Sequence, residues 1–188
     1  MQNIELIEGC AHNDKTAQKA FFDSFSNIVM GTSMRYSSAE KDAVPMSIFI
    51  FKSLFAEIRD IPKDTELSQW IAERSIWNAI KYLHQDKHKF FIAKTTLYEE
   101  NKPVFEEVNE AELPQEACRA AYLAALQSLT PSYRILYNLT YIDSIPSDNI
   151  IARLEIAPET YKAELDEARY QFKKQLNKRL HEQKLRRG

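Results

Sequence analysis

Two stretches of the chain bring cations and aromatic or hydroxyl side chains together at helical spacing. In the first, Trp77, Lys81, Tyr82, His84, Lys87 and Lys89 mix rings with cations. That mixture suits single-stranded nucleic acid, whose bases stack on rings and whose phosphates attract ammonium groups. A solvated helix end has the same composition, so both readings stand. In the second stretch, Thr160, Tyr161, Lys162, Arg169 and Lys173 offer hydroxyls and cations to a phosphate or a base edge. They share it with Glu159, Glu164, Asp166 and Glu167, and a DNA backbone repels carboxylates. Either these carboxylates oppose DNA contact, or they pair with neighbours such as Lys162 and solvate one side of a long helix.

Catalytic chemistry finds no footing. No paired carboxylates, Ser/His/Asp or Cys/His arrangement stands out, and three glycines leave no phosphate-cradling loop, so no enzyme is expected. His84 and His88 are spaced as metal ligands on a helix, but no third ligand is near, and neither metal nor other cofactor is expected. Cys10 and Cys118 lack any Cys-x-x-Cys spacing and read as two reduced thiols of a cytoplasmic protein. The start MQNIELIEGC has no signal-peptide pattern, and the longest apolar run, residues 48–51, is too short to span a bilayer. A soluble protein without membrane insertion is expected.

The elements that must position these residues are helices. Three glycines among 188 residues, with 28% charged residues and abundant Ala, Leu, Glu, Lys and Gln, predict an all-α fold, because hairpins and α/β turns consume glycine. Apolar spacing predicts a helix over residues 15–36 capped by Asn13 or Asp14, and a second over 41–58 with Pro45 in its first turn. A third follows Thr65 as N-cap and carries Trp70 and Trp77 on one face, for core packing or for stacking on unpaired bases.

Residues 93–116 read as an acidic linker between two small helical domains, residues 1–92 and 117–188. Seven glutamates and two prolines fall between residues 95 and 116, where no helical stripe persists. Beyond it, an Ala-rich helix runs to about Ser128, and Thr130-Pro131 opens the next as N-cap and first helical residue. Ser147 or Asp148 caps a short helix to Leu154, and Pro158 starts a long final one, a helix-turn-helix pattern. Charge is uneven along the chain. The net −2 conceals a C-terminal segment, residues 171–188, with seven basic residues and one acidic. This tail either attracts nucleic acid without sequence preference or complements the final helix dipole.

The order of parts resembles a bacterial sigma factor of the extracytoplasmic function type, in the sigma-70 family. The resemblance rests on residues 6–43, LIEGCAHNDKTAQKAFFDSFSNIVMGTSMRYSSAEKDA, and on Trp70-Ile71 in the third helix. In the C-terminal domain it rests on SLTPSYRILYNLTYID, Ile150-Ile151, Leu154, Ile156, Thr160 and Ala168-Arg169. It implies a transcription-initiation subunit whose first domain docks on core RNA polymerase and opens the −10 promoter element, and whose second reads the −35 element. An anti-sigma protein is a further partner it suggests. Asp42, Ile48, Phe49 and Lys52 fall where the family meets the polymerase.

Departures from the family are specific. After Asp42-Ala43 the family continues with acidic residues and a glutamine, whereas here Val44, Pro45, Ile48 and Phe49 make the surface apolar. That helix is either buried more deeply than in relatives or turned to a partner. The family's asparagine is replaced by Trp77, with Asn78 adjacent. Glu159 stands for a glycine, and Glu164 and Glu167 for basic residues. A rival expectation follows: a sigma-like protein-interaction module that no longer reads promoters.

Overall fold

The computed structural model describes residues 3–62, 65–85 and 113–185. Among them every regular element is helical. The all-α expectation from the scarcity of glycine holds. The chain divides into two compact units, Met1–His88 and Lys89–Gly188. Most of the expected acidic linker lies outside the described residues; at its end, Gln115 and Glu116 already form the first turn of a helix.

The first unit contains α1 (Asn3–Ala11), α2 (Lys15–Tyr36), α3 (Glu40–Glu57) and α4 (Leu67–Gln85). Helix α1 is not among the helices expected from sequence. Nine residues are marginal for an isolated helix, and tertiary packing holds it. Leu6 and Cys10, one turn apart, are buried. Gly9 allows close approach to α2, since a methyl group there would lie 2.5 Å from the Ala17 Cβ. The helix ends on Asn13 at φ 60°, and the Asp14 N–H returns to the Gly9 carbonyl at 2.9 Å. Arg59, in a short 3-10 turn (Ile58–Asp60), donates to the Ala11 carbonyl at 2.6 Å and closes the α1 C-terminus from across the unit.

Of the two candidate caps of α2, Asp14 is the one used: its Oδ1 accepts from the Ala17 N–H at 2.8 Å. Pro45 departs from expectation. Because α3 starts at Glu40, the proline falls beyond the first turn and leaves the Lys41 carbonyl without its helical partner. Both residues are exposed, so water can take that carbonyl. The start of α4 also differs, with Glu66 rather than Thr65 supplying the cap. Its carboxylate accepts from the Ser68 hydroxyl, the Gln69 N–H at 2.8 Å and the Ser68 N–H at 3.1 Å. Those bonds hold the Glu66 carboxyl below the usual range, the Ser68 hydroxyl contributing most. Phe21, Val29, Met46, Ile50, Leu54, Ile71 and Ala79 form the buried centre of the three longer helices.

The second unit contains α5 (Gln115–Ser128), α6 (Pro131–Tyr137), α7 (Ser147–Leu154) and α8 (Pro158–Leu185). Thr130 and Pro131 open α6 as expected, although the Thr130 side chain makes no cap hydrogen bond. Helix α6 passes into a π-helical turn, Asn138–Ile142. Arg134 is buried at 2% exposure and donates from Nη1 to the Gln127 carbonyl at 2.9 Å, placing its cation at the α5 C-terminus. The N-cap of α7 is Pro146, so Ser147 and Asp148, the expected caps, sit inside the first turn, where Asp148 favours the helix dipole.

Helix α7 is capped by Glu155 in the left-handed region at φ 52°, and Pro158 begins α8 with three residues between the helices. Phe172, Leu176 and Leu180, one helical turn apart, pack on Ala121, Ala125 and Leu126 of α5 and on Leu129. The basic tail expected from sequence is therefore, through Leu185, the packed second half of α8.

Candidate nucleic-acid interface

In α4 the spacing of the candidate residues decides which of them meet. Trp77, Lys81 and His84 lie four and seven residues apart and so share one face. Lys81 and His84 are exposed and Trp77 is half-buried. The same ridge runs back through Arg74 to Trp70, which is buried at 5% exposure, so the first tryptophan is core and only the second can reach a ligand. The Arg74 guanidinium lies 5.7 Å from the Trp70 ring centroid and 3.6 Å from a Glu57 carboxylate oxygen. Arg74 is absent from the residues singled out in sequence, although its position between the two tryptophans was visible there.

Tyr82 does not join this ridge. It turns toward α3, where its ring centroid is 5.5 Å from that of Phe49. Desolvation pushes the His84 imidazole below its ordinary value, so at neutral pH it is an uncharged hydrogen-bonding ring and the cations of the ridge are Arg74 and Lys81. Lys87, Lys89 and His88 lie outside the described residues. Among the described residues no group of three His, Cys, Asp or Glu side chains is placed to hold a metal.

The first turns of α8 segregate their charges. Lys162, Asp166, Arg169 and Lys173 fall at steps of four, seven and eleven residues and are all exposed, forming one open face. Thr160, Glu164 and Glu167 belong to a different flank and are half-buried. Glu167 Oε1 accepts from Gln171 Nε2 at 2.8 Å along that flank. Tyr161 turns inward, its hydroxyl 3.2 Å from that of Thr140 in the π-helical turn. Of the five α8 residues picked from sequence, the structure brings together Lys162, Arg169 and Lys173, and it adds Asp166. Glu159, three residues before Lys162 and also exposed, belongs to the same face, so three cations there meet two carboxylates and an acidic composition does not make an acidic surface.

The four expected polymerase contacts also separate. Ile48 is exposed at 52%, and Lys52, one turn on, is exposed beside it. Phe49 and Asp42, seven residues apart, share the other flank of α3. There Phe49 packs on Tyr82, and Asp42 accepts from the Ser38 hydroxyl at 2.7 Å. An apolar strip does exist on the Ile48 side. Val44 and Ile48, one turn apart, are 49% and 52% exposed, and the Phe22 ring of α2, 50% exposed, lies 4.7 Å from the ring of Phe51, which is itself buried at 7% exposure. The helix that sequence leaves either buried or partner-facing is both: Met46, Ile50 and Leu54 are core, and the strip is surface.

A further cluster was not singled out. The Tyr137 ring lies 4.2 Å from Phe172 and 4.9 Å from Tyr141, and Tyr122 is 5.6 Å from Phe172. Burial chiefly, with smaller contributions from Tyr122 and Tyr141, pushes the Tyr137 phenol up to about 12 despite the opposing Arg169 cation. Arg169 thus borders an aromatic surface. The only hint in sequence was the i to i+4 step from Tyr137 to Tyr141. Both cysteines are free; Cys10 is buried, and that burial raises its thiol, with Asp14 adding to the shift. Among the described residues no helix is long and apolar enough to cross a membrane. No protein-family model matches this chain, and no curated protein sequence matches it.

Proposed function

We propose that the chain is a sigma factor of the extracytoplasmic function type, which binds core RNA polymerase and promoter DNA to direct transcription initiation. The observation that carries this reading is the α4 ridge, where half-buried Trp77 is followed one turn on by exposed Lys81, with Arg74, one turn before it, held over Trp70 and against Glu57. A ring with an ammonium one helical turn away is chemistry that holds unpaired bases by stacking while neutralising a phosphate. Support comes from α7, its tight turn and α8, read as a helix-turn-helix whose open face presents Lys162, Arg169 and Lys173 to duplex DNA.

The apolar strip of Val44, Ile48 and Phe22 fits a protein partner, core polymerase first and an anti-sigma protein second. The same strip favours the rival reading, a sigma-like interaction module without promoter recognition. Transcription in vitro separates the two. Purified protein with core polymerase should start transcripts from a subset of genomic fragments. Polymerase binding with no initiation from any fragment would support the interaction module instead.

A further inference from the structure

The sign of charge changes along α8. Its first turns, residues 158–170, carry four acidic and two basic residues, whereas residues 171–185 carry five basic residues and one acidic. The apolar side of this basic half, Phe172, Leu176 and Leu180, is covered by α5, so the lysines ride on a braced helix rather than a frayed end. Lys173, Lys174, Lys178 and Lys184 are exposed. Arg179 is spent locally, with Nη1 3.3 Å from a Glu182 carboxylate oxygen.

Two ordinary explanations fall short. The helix dipole favours cations within about the last turn, which accounts for Lys184. Lys178 lies seven residues before Leu185, and Lys174 eleven, out of that range. A membrane surface would need an apolar face beside the lysines, and α5 already occupies the one this helix has.

We propose that Lys174 and Lys178, about 100° or more of helix rotation round from Lys173 and on the ridge that runs on from Gln171, form a second DNA contact that grips the phosphate backbone of a duplex without reading its sequence. It rests on the DNA-binding reading above and assigns the nonspecific part of affinity to residues beyond the turns that would enter a groove. One helical turn separates the two lysines, ~6 Å along the axis, a distance spanned by about two phosphate steps of ~3.4 Å on one strand. Two exposed ammonium groups one turn apart are complementary to a polyanion, the Glu182 carboxylate one turn beyond Lys178 being engaged by Arg179. Because the lysines project from a fixed helix, little backbone ordering is lost on binding.

The test uses the full chain and a short random-sequence duplex, with affinity followed by fluorescence anisotropy as salt is raised. Lys174→Gln with Lys178→Gln should lower the log-log salt slope by about two units, so that the loss of affinity between about 50 and 200 mM salt shrinks roughly tenfold. Lys174→Arg with Lys178→Arg should keep the slope. A charge-matched control on α2, Lys15→Gln with Lys19→Gln, should leave it unchanged. An unaltered slope in the glutamine pair with helical circular dichroism intact overturns the proposal. So does an equal fall in the α2 control, or binding of the unmodified chain to anionic vesicles and not to the duplex. Polymerase is absent from this assay, so a chain that shows the expected slopes yet starts no transcript fails only the sigma-factor reading.

Discussion

Helices α4 and α8 both present cations to solvent, yet they do so in different company. On α4 the cations Arg74 and Lys81 flank Trp77 on one ridge, with the Trp70 ring buried beneath Arg74. On the first turns of α8 the open face holds Glu159, Lys162, Asp166, Arg169 and Lys173, with half-buried Tyr170 at its edge and Arg169 bordering the Tyr137 cluster. Tyr161, earlier in the same helix, is turned to Thr140. A ridge centred on a ring is suited to unstacked bases, whereas a face dominated by exposed charges is suited to the phosphates of an intact duplex. Under the sigma-factor proposal, α4 would serve the melted strand and α8 the duplex. The division can be tested at the support beneath α4, at its ring, and at the carboxylates of α8.

The largest effect is expected at the support. Phe49 is half-buried and its ring meets Tyr82, so Phe49→Asp should place a carboxylate between α3 and α4 and cost the first unit roughly 2–3 kcal/mol. Its neighbour Ile48 is 52% exposed, and Ile48→Asp should change stability by no more than about 0.5 kcal/mol while weakening capture of core polymerase. Urea denaturation of the two variants beside a polymerase pull-down checks both statements. Equal destabilisation by the two would mean that the apolar strip is core, and unaltered capture by Ile48→Asp would remove it as a docking surface.

A smaller effect is expected at the ring. Trp77→Ala should weaken binding to a single-stranded oligonucleotide by about tenfold, within the ~1–3 kcal/mol typical of a base stacked on an aromatic side chain. Lys162→Gln should leave that binding untouched and weaken duplex binding instead. If Trp77→Ala binds single strands as the unmodified chain does, the α4 ridge is a solvated face and the contrast with α8 is lost.

Legibility in the sequence followed the range of the forces involved. The run Lys15–Tyr36 and its Asp14 cap were readable because hydrophobic spacing and capping are local. Helix α1 was not, since Leu6, Cys10 and Gly9 are explained only by what α2 and Arg59 bring to them. The Glu66 cap was missed because a glutamate is a less usual capping residue than the threonine beside it. Within the candidate site, residue types were legible and their grouping was not. Phe49 stands next to Ile48 in sequence, and about 100° of helix rotation sends one to Tyr82 and the other to solvent.

The same rotation governs the carboxylates of α8 and sets the smallest expected effect. Read as a string, Glu164 and Glu167 belong with Lys162 and Arg169, and reversing their charge should add two phosphate contacts. On the helix they occupy the half-buried flank, and Glu167 accepts from Gln171. Glu164→Arg with Glu167→Arg should therefore change the salt slope of duplex binding by well under one unit, since a charge makes a counterion-releasing contact only where a phosphate can reach it. Asp166 lies on the open face between Lys162 and Arg169. Asp166→Arg should raise duplex affinity and steepen the slope by about one unit. Anisotropy titrations at several salt concentrations compare the variants directly. A steeper slope for the Glu164/Glu167 pair than for Asp166→Arg would put DNA on the other flank of α8, leaving Lys162, Arg169 and Lys173 on the side turned away from it.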